Sequence, residues 1–174
     1  MSREKKIRYF VGDFETTVYE GQKYTEVWAS ALVELFTEDV LIFHSIEDTF
    51  KYLKSLNTNV IVYYHNLKFD GNFWLDLLLR KLNYKQAVKK LSDKEFDVEW
   101  KPDKYMDSKS FKYLISDMGQ WYCITVKTDS SHTLELKDSL KLLPFSVERI
   151  GKSFGTKHKK LSMNYEGLRY AGCV

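Results

Sequence analysis

Residues 60–71 read Val-Ile-Val-Tyr-Tyr-His-Asn-Leu-Lys-Phe-Asp-Gly, and this stretch decides the fold. Its first five residues are a nearly continuous apolar run, which is typical of a buried central strand. A helix is predicted to follow from about Asp70 to Leu82, because apolar residues recur there at helical spacing. The stretch therefore places the carboxylate of Asp70 between a buried strand and the helix after it.

The rest of the chain predicts a mixed sheet flanked by helices. Alternating or β-branched apolar runs predict strands at residues 7–12, 27–35, 40–43, 121–126 and 133–136. Helices are predicted to begin at Ser45, in a near capping box, and to cover residues 146–154, where Gly155 ends the pattern. A meander of three strands, followed by alternating helices and strands, is typical of an α/β domain.

Residues 89–112 differ from the rest of the chain in composition. Seven Lys alternate with six Asp or Glu, apolar residues are sparse, and Pro102 lies inside. We predict a solvated, mobile insertion within a single domain that covers residues 1–174. A protein partner would be expected to dock here, although a plain solvated loop is the simpler interpretation.

Composition excludes several classes of protein. Of the 174 residues, 44% are hydrophobic and 29% are charged, which rules out wholesale disorder. The 2 cysteines cannot make a disulfide framework or a four-ligand zinc site, so we expect a reducing compartment. No apolar run is long enough to span a membrane, and the N-terminus lacks a signal-peptide core, so no membrane partner is expected.

A pair of carboxylates at the end of the first strand suggests a metal site. Asp13 and Glu15 are two residues apart, so the period of a strand puts both on one face, where they repel each other. Mg²⁺ or Mn²⁺, which prefer oxygen ligands, would relieve that repulsion. Asp70 could bring a third carboxylate, and three carboxylates from separate strand ends can hold one or two ions for phosphodiester cleavage.

Each of these residues also has a simpler structural explanation. An Asp-x-Glu pair is common at strand ends, and Asp70 stands where the N-cap of its helix would be, which local sequence favours. His65 could be a hydrogen-bonded core histidine, and Asn66 could be a turn residue. Local spacing does not choose between these interpretations.

A longer series of motifs is more specific. Five strings occur in a fixed order: Asp13-Phe-Glu-Thr-Thr17, Tyr64-His-Asn-Leu-Lys-Phe-Asp-Gly71, Met118-Gly-Gln-Trp-Tyr122, Asp138-Ser-Leu-Lys-Leu-Leu-Pro-Phe145 and Lys160-x-x-Met163. Together they resemble the 3′–5′ exonuclease domain of protein-primed family B DNA polymerases of phages and linear plasmids. The resemblance extends over about residues 7–174 and is weakest across the insertion. It implies an RNase H-like (DnaQ-like) α/β fold with the carboxylates at strand ends near the middle of the sheet.

The resemblance implies roles for the acidic residues and for one lysine. Asp13 and Glu15 would be metal ligands of the first motif, and Asp70 would be the carboxylate of the second. Lys160 would assist catalysis near the scissile phosphate. The implied cofactor is Mg²⁺ or Mn²⁺, and the implied reaction is hydrolysis of a phosphodiester bond.

A second set of residues would hold single-stranded nucleic acid. The residues that match strand-binding positions of the family are Thr16, His65, Asn66, Phe69, Ser139 and Leu140. Aromatic side chains stack on bases without sequence preference, and cations neutralise phosphates. Residues 137–160 hold seven Lys or Arg against two acids, which would give a basic track, or else a solvated helix face.

One feature of the family is missing from this sequence. The third motif, Tyr-x-x-x-Asp, would supply the remaining metal ligand, but the sequence stops where the family would soon supply it. Tyr165 is followed at that spacing by Arg169, and it lies too close to Lys160 to be the motif. Glu166 is the only carboxylate after Lys160. We therefore expect a site that is one carboxylate short, in which Asp138 or Glu166 could substitute for the missing ligand.

Three hypotheses for function follow. The first is a cytoplasmic, metal-dependent 3′–5′ exonuclease that acts on single-stranded DNA or RNA with a reduced site. The second is an exonuclease-derived binding module of a mobile element that inhibits a host protein or ribonucleoprotein, for example as an anti-CRISPR protein. The third is a truncated polymerase fragment. For a phage or plasmid protein, the expected location is the host cytoplasm.

Overall fold

The apolar run at residues 60–64 forms a central strand of a large mixed sheet, as predicted. The structure, a computed structural model, describes residues 7–94, 97–129 and 131–156. Its strands are β1 (Ile7–Thr16), β2 (Val27–Glu34), β3 (Val40–Phe43), β4 (Asn59–Tyr64), β5 (Lys85–Gln86), β6 (Val88–Lys90), β7 (Val98–Trp100), β8 (Ser110–Ile115), β9 (Trp121–Lys127) and β10 (Thr133–Asp138). Its α-helices are α1 (Ile46–Ser55), α2 (Leu67–Asp76) and α3 (Val147–Phe154).

Eight strands form the main sheet, in the spatial order β3-β2-β1-β4-β10-β9-β8-β5, and β6 pairs with β7 separately. The three central strands β1, β4 and β10 are parallel, and Tyr64 of β4 pairs with Gly12 on one side and Asp138 on the other. The carboxyl ends of these three strands therefore meet at one edge of the sheet.

One apolar core joins the sheet to α1 and α2. Phe10, Val62, Phe50 and Trp74, which come from β1, β4, α1 and α2, are all buried in it. Gly12 lies under the ring of the fully buried Tyr64, and a Cβ atom at this glycine would come within 2.7 Å of that ring. This close contact fixes β1 against β4 directly before Asp13.

The helix boundaries that local sequence signals marked are confirmed. The Oγ of Ser45 accepts a hydrogen bond from the backbone N–H of Asp48 at 3.1 Å, which caps α1. Ser146 caps α3 in the same way, through the N–H of Arg149 at 3.3 Å. Gly155 ends α3 in the left-handed region, with φ of 60°.

Helix α2 and the strands between α2 and β9 differ from the sequence prediction. The helix expected from about Asp70 begins at Leu67, with Asn66 in the N-cap position, and a π-helical turn (Leu77–Lys81) extends it. The interpretation of Asp70 as the N-cap is therefore wrong, since Asp70 lies in the first turn. Strand β8 was not predicted, and its first residues fall in the stretch assigned to the insertion.

The charged stretch at residues 89–112 contains local structure. It includes most of the β6–β7 hairpin and a 3-10 turn (Asp103–Tyr105) before it enters β8. The division into one domain with an insertion stays a prediction. Among the residues that the structure describes, no helix has the length and apolar character needed to cross a membrane.

Candidate active site

The shared edge of the central strands brings three of the predicted motifs together. Asp13 lies near the end of β1, His65 and Asn66 follow β4, and Asp138 ends β10. Parallel pairing puts these segments side by side although they are far apart in the sequence. The site is built mainly from strand ends and the turns that follow them, on a rigid sheet.

Asp70 is the most perturbed acidic residue among those described. It is only 3% exposed, and burial raises the pKa of its carboxyl group from the ordinary 3.8 to about 7. Burial is the largest cause of this value; the negative charges of Asp13 and Asp138 contribute to the rise, while the backbone N–H groups of Asp70 itself and of Phe14 oppose it. Its Oδ1 atom is buried and has no hydrogen-bond partner among the described residues.

A hard divalent cation fits this arrangement. Within the described part of the chain, the buried Oδ1 of Asp70 has no partner, and Asp13 is near enough for its charge to act on Asp70. A cation would satisfy that oxygen and offset the repulsion between the two carboxylates. Within residues 7–94, 97–129 and 131–156, however, no three acidic, His or Cys side chains converge as a complete metal site.

Glu15 completes the predicted carboxylate pair on β1. It is half-buried, two residues beyond the exposed Asp13, and the strand alternation places both on the same face. The Oδ1 of Asp13 accepts the backbone N–H of Phe14 at 3.1 Å. The register of β1 with β2 shifts between Glu15 and Thr16, so the strand bends directly beside the carboxylates.

The turn between β4 and α2 is held by hydrogen bonds to the end of β10. Asn66 has a left-handed backbone with φ of 73°, so the turn interpretation of this residue is confirmed. The imidazole of His65 lies between the carbonyl oxygen of Phe145, 2.8 Å from Nε2, and the hydroxyl of Ser139, 3.2 Å from Nδ1. Since a carbonyl only accepts, Nε2 of His65 donates to Phe145.

The other predicted strand-binding residues lie near this turn or at the end of β1. Phe69 is 48% exposed and contacts the ring of Phe73 edge to face, with the centroids 5.4 Å apart. Thr16, Ser139 and Leu140 are half-buried. Their roles in binding nucleic acid remain predictions, as does that of His65.

Several predicted features lie outside the described residues. These are Lys160, Tyr165, Glu166 and Arg169, and with them the question of the third motif. Within the described part of the basic track, the ammonium of Lys141 lies 5.5 Å from the ring centroid of Tyr122. The guanidinium of Arg149 lies 4.5 Å from the ring centroid of Phe145, so each of these two cations lies over an aromatic ring.

The sequence did not reveal two polar groups inside the core. The hydroxyl of Tyr64 and the indole nitrogen of Trp74 are both buried, and the indole N–H of Trp74 is near enough to act on the tyrosine and lower its pKa. Burial raises the pKa of Tyr64 well above its usual value, and the charges of Asp70 and Asp13 add to this effect. The only sequence signal is the presence of a tyrosine and a tryptophan in otherwise apolar segments.

Comparisons with known proteins agree with the family that the motifs resemble. The family model for DNA polymerase type B, organellar and viral, matches residues 51–172. The DNA polymerase of Streptococcus phage Cp-1 is 33% identical over 159 residues, which are 84% of this chain and 23% of that protein. The DNA polymerase of Bacillus phage phi29 is 29% identical over 165 residues, 92% of this chain and 25% of that protein. The chain thus spans about a quarter of the length of the curated relatives it matches.

Solved structures give the same result. Phi29 DNA polymerase complexed with single-stranded DNA matches with a TM-score of 0.70 and 26% identity, over 91% of this chain and 25% of that one. The complex of the same polymerase with primer-template DNA, in its post-translocation state, gives a TM-score of 0.70 over 92% of this chain and 26% of that one. The expected RNase H-like (DnaQ-like) α/β fold is confirmed.

Proposed function

The chain belongs to the family of type B DNA polymerases of organelles and viruses, and from this we propose that it binds single-stranded DNA and hydrolyses it from the 3′ end. The observation that carries the proposal is Asp70, a buried carboxylate with an unpartnered oxygen, close to Asp13 at the edge of a rigid sheet. A buried group with a strongly raised pKa and a charged neighbour is typical of a catalytic or metal site.

Asp13, Glu15 and Asp70 would hold Mg²⁺ or Mn²⁺. When bound, such an ion supplies positive charge for the phosphate oxygens and makes a water molecule more acidic. The protein contributes a set of oxygen ligands on the sheet edge, of which the buried Asp70 is the one whose charge water screens least.

The side chains around the carboxylates would hold the 3′ end of the strand. Phe69 is exposed and is braced by Phe73, so it can stack on a base. The segments that carry Asn66 and Leu140 border the same edge of the sheet, and Thr16 lies beside Glu15. Lys160 would neutralise charge near the scissile phosphate. Base stacking with few base-edge contacts predicts binding with little sequence preference.

DNA is the substrate that the comparisons favour. Relatives are DNA polymerases, and one structural neighbour was solved with single-stranded DNA. They lend no support to the alternatives of a guide-RNA or effector inhibitor, and no observation on this surface favours a protein partner. Between an exonuclease and an inhibitor of a host protein, we therefore propose the exonuclease.

Binding in the absence of metal tests the substrate half of the proposal. Fluorescence anisotropy in EDTA should show that a labelled oligo(dT) binds, and that Phe69→Ala weakens this binding by about 1–2 kcal/mol, or roughly 5- to 30-fold. Phe36→Ala is the matched control, because Phe36 is 80% exposed in the turn after β2, away from the carboxylates. A protein that binds no single-stranded DNA, or equal losses in both variants, would overturn the proposal.

A further inference from the structure

One oxygen of Asp138 joins two segments that lie far apart in the sequence. Its Oδ1 accepts three backbone N–H groups, from Asn66 at 3.1 Å, Leu67 at 3.3 Å and Leu140 at 3.0 Å. Asn66 and Asp138 are 72 residues apart. Asp138 is 7% exposed, so these bonds are shielded from competing water.

The bonds satisfy backbone N–H groups at the start of α2 and of the 3-10 turn after β10. Asn66 occupies the N-cap position of α2, but its side chain makes no capping hydrogen bond. The carboxylate of Asp138 takes that role from the neighbouring strand, where its charge also favours the positive end of the helix. The same oxygen caps the 3-10 turn (Ser139–Lys141) through Leu140.

A second set of hydrogen bonds connects the same two turns. His65 spans from Ser139 to the carbonyl oxygen of Phe145, and the Oγ of Ser139 lies 3.2 Å from the carbonyl oxygen of Tyr64. The turn after β4 and the turn after β10 are thus tied at two points. We call the bonds at Asp138 Oδ1 the carboxylate clamp.

We infer that Asp138 is a positioning residue, which fixes the two proposed strand-binding segments against each other, and that it is not itself a metal ligand. Its Oδ1 is already shared by three N–H donors, so ligation of a cation through this oxygen would leave these buried donors without an acceptor. The clamp itself does not depend on the proposed function. Its consequence does rest on that function, namely that the clamp shapes the binding site for single-stranded DNA.

Two substitutions separate positioning from metal ligation because they give opposite results. Asp138→Asn keeps an oxygen at the clamp and removes the charge, whereas Asp138→Glu keeps the charge and displaces the oxygen. Positioning predicts that Asp138→Asn binds oligo(dT) in EDTA within about 3-fold of wild type, and that Asp138→Glu binds at least about 10-fold more weakly. Asp39→Asn, in the exposed turn after β2, is the matched control.

Cleavage of single-stranded DNA in Mn²⁺ gives a second comparison of Asp138→Asn with Asp138→Glu. A positioning role predicts that Asp138→Asn keeps most of the activity and that Asp138→Glu loses activity in step with its binding. A ligand role predicts the reverse, with cleavage abolished in Asp138→Asn at unchanged binding, and that result would overturn the inference.

Amide hydrogen exchange tests the clamp without any nucleic acid. The amides of Asn66, Leu67 and Leu140 should be protected in wild type and in Asp138→Asn, and should exchange at least about 10-fold faster in Asp138→Glu. If wild type binds no DNA but shows this pattern, the proposed function fails while the clamp stands. Unchanged exchange in Asp138→Glu would refute the clamp itself.

Discussion

Replacement of Asp70 by Asn should stabilise the metal-free protein, and by an amount that depends on pH. Asp70 is 3% exposed, and its pKa in the folded state is about 7 against an ordinary 3.8. Between these two values the folded protein holds a proton that the unfolded chain has released. The contribution of Asp70 to the stability of wild type should therefore fall as the pH rises from about 4 to 7, and level off above that.

The size of the effect follows from the two pKa values. A difference of about three pH units corresponds to about 4 kcal/mol, which is the upper limit for the cost of the buried charge at high pH. Asp70→Asn removes that charge and keeps the shape of the side chain. We expect the variant to exceed wild type in free energy of unfolding by about 2–4 kcal/mol near pH 8, and by less than about 1 kcal/mol near pH 4.5.

Urea unfolding in EDTA at several pH values measures this difference directly. Comparing the two proteins at each pH cancels the titration of the other groups, which both share. Mn²⁺ should raise the midpoint of wild type more than that of Asp70→Asn, because an ion that binds only the folded state stabilises it. A stability difference that does not grow with pH would refute the burial and charge repulsion assigned to Asp70.

Two further substitutions test the scaffold of the site. Gly12→Ala should lower the free energy of unfolding, measured in urea, by about 1–3 kcal/mol, because the new Cβ meets the ring of Tyr64 at 2.7 Å. A smaller loss in a Tyr64→Leu background would identify that contact as the cause. Ser45→Ala should lower the free energy of unfolding by about 1 kcal/mol, because it removes the cap on the N–H of Asp48. The control Ser55→Ala, at the exposed end of α1, should change it by less than about 0.5 kcal/mol. Equal losses in the two variants would show that the cap contributes nothing specific.

Sequence patterns correctly predicted the strands and helix caps that depend only on neighbouring residues. The apolar run at residues 60–64 and the serine caps of α1 and α3 depend on neighbours within a few positions. The start of α2 was predicted three residues late because its N-terminus is capped by Asp138, from another strand, and not by a nearby side chain. No local pattern shows a cap that arrives from 72 residues away.

Tertiary contacts decided the remaining differences. Strand β8 alternates polar and apolar residues next to a lysine-rich stretch, and its pairing with β9 makes it part of the sheet. The carboxylates were predicted from the motifs, but the burial of Asp70 depends on how α2 packs over the sheet. The clamp at Asp138 was likewise hidden, since a sequence shows which residue follows a strand and not which N–H groups reach it.

Metal-dependent cleavage is the most direct test of the proposed function. Purified protein should be mixed with 5′-labelled single-stranded DNA in Mn²⁺, Mg²⁺ or EDTA, beside the double variant Asp13→Ala/Asp70→Ala. We predict a ladder that shortens from the 3′ end with either metal, and that is absent in EDTA and in the variant. Cleavage that persists in EDTA or in the variant, or no cleavage by wild type under any condition, would contradict the assignment of this site.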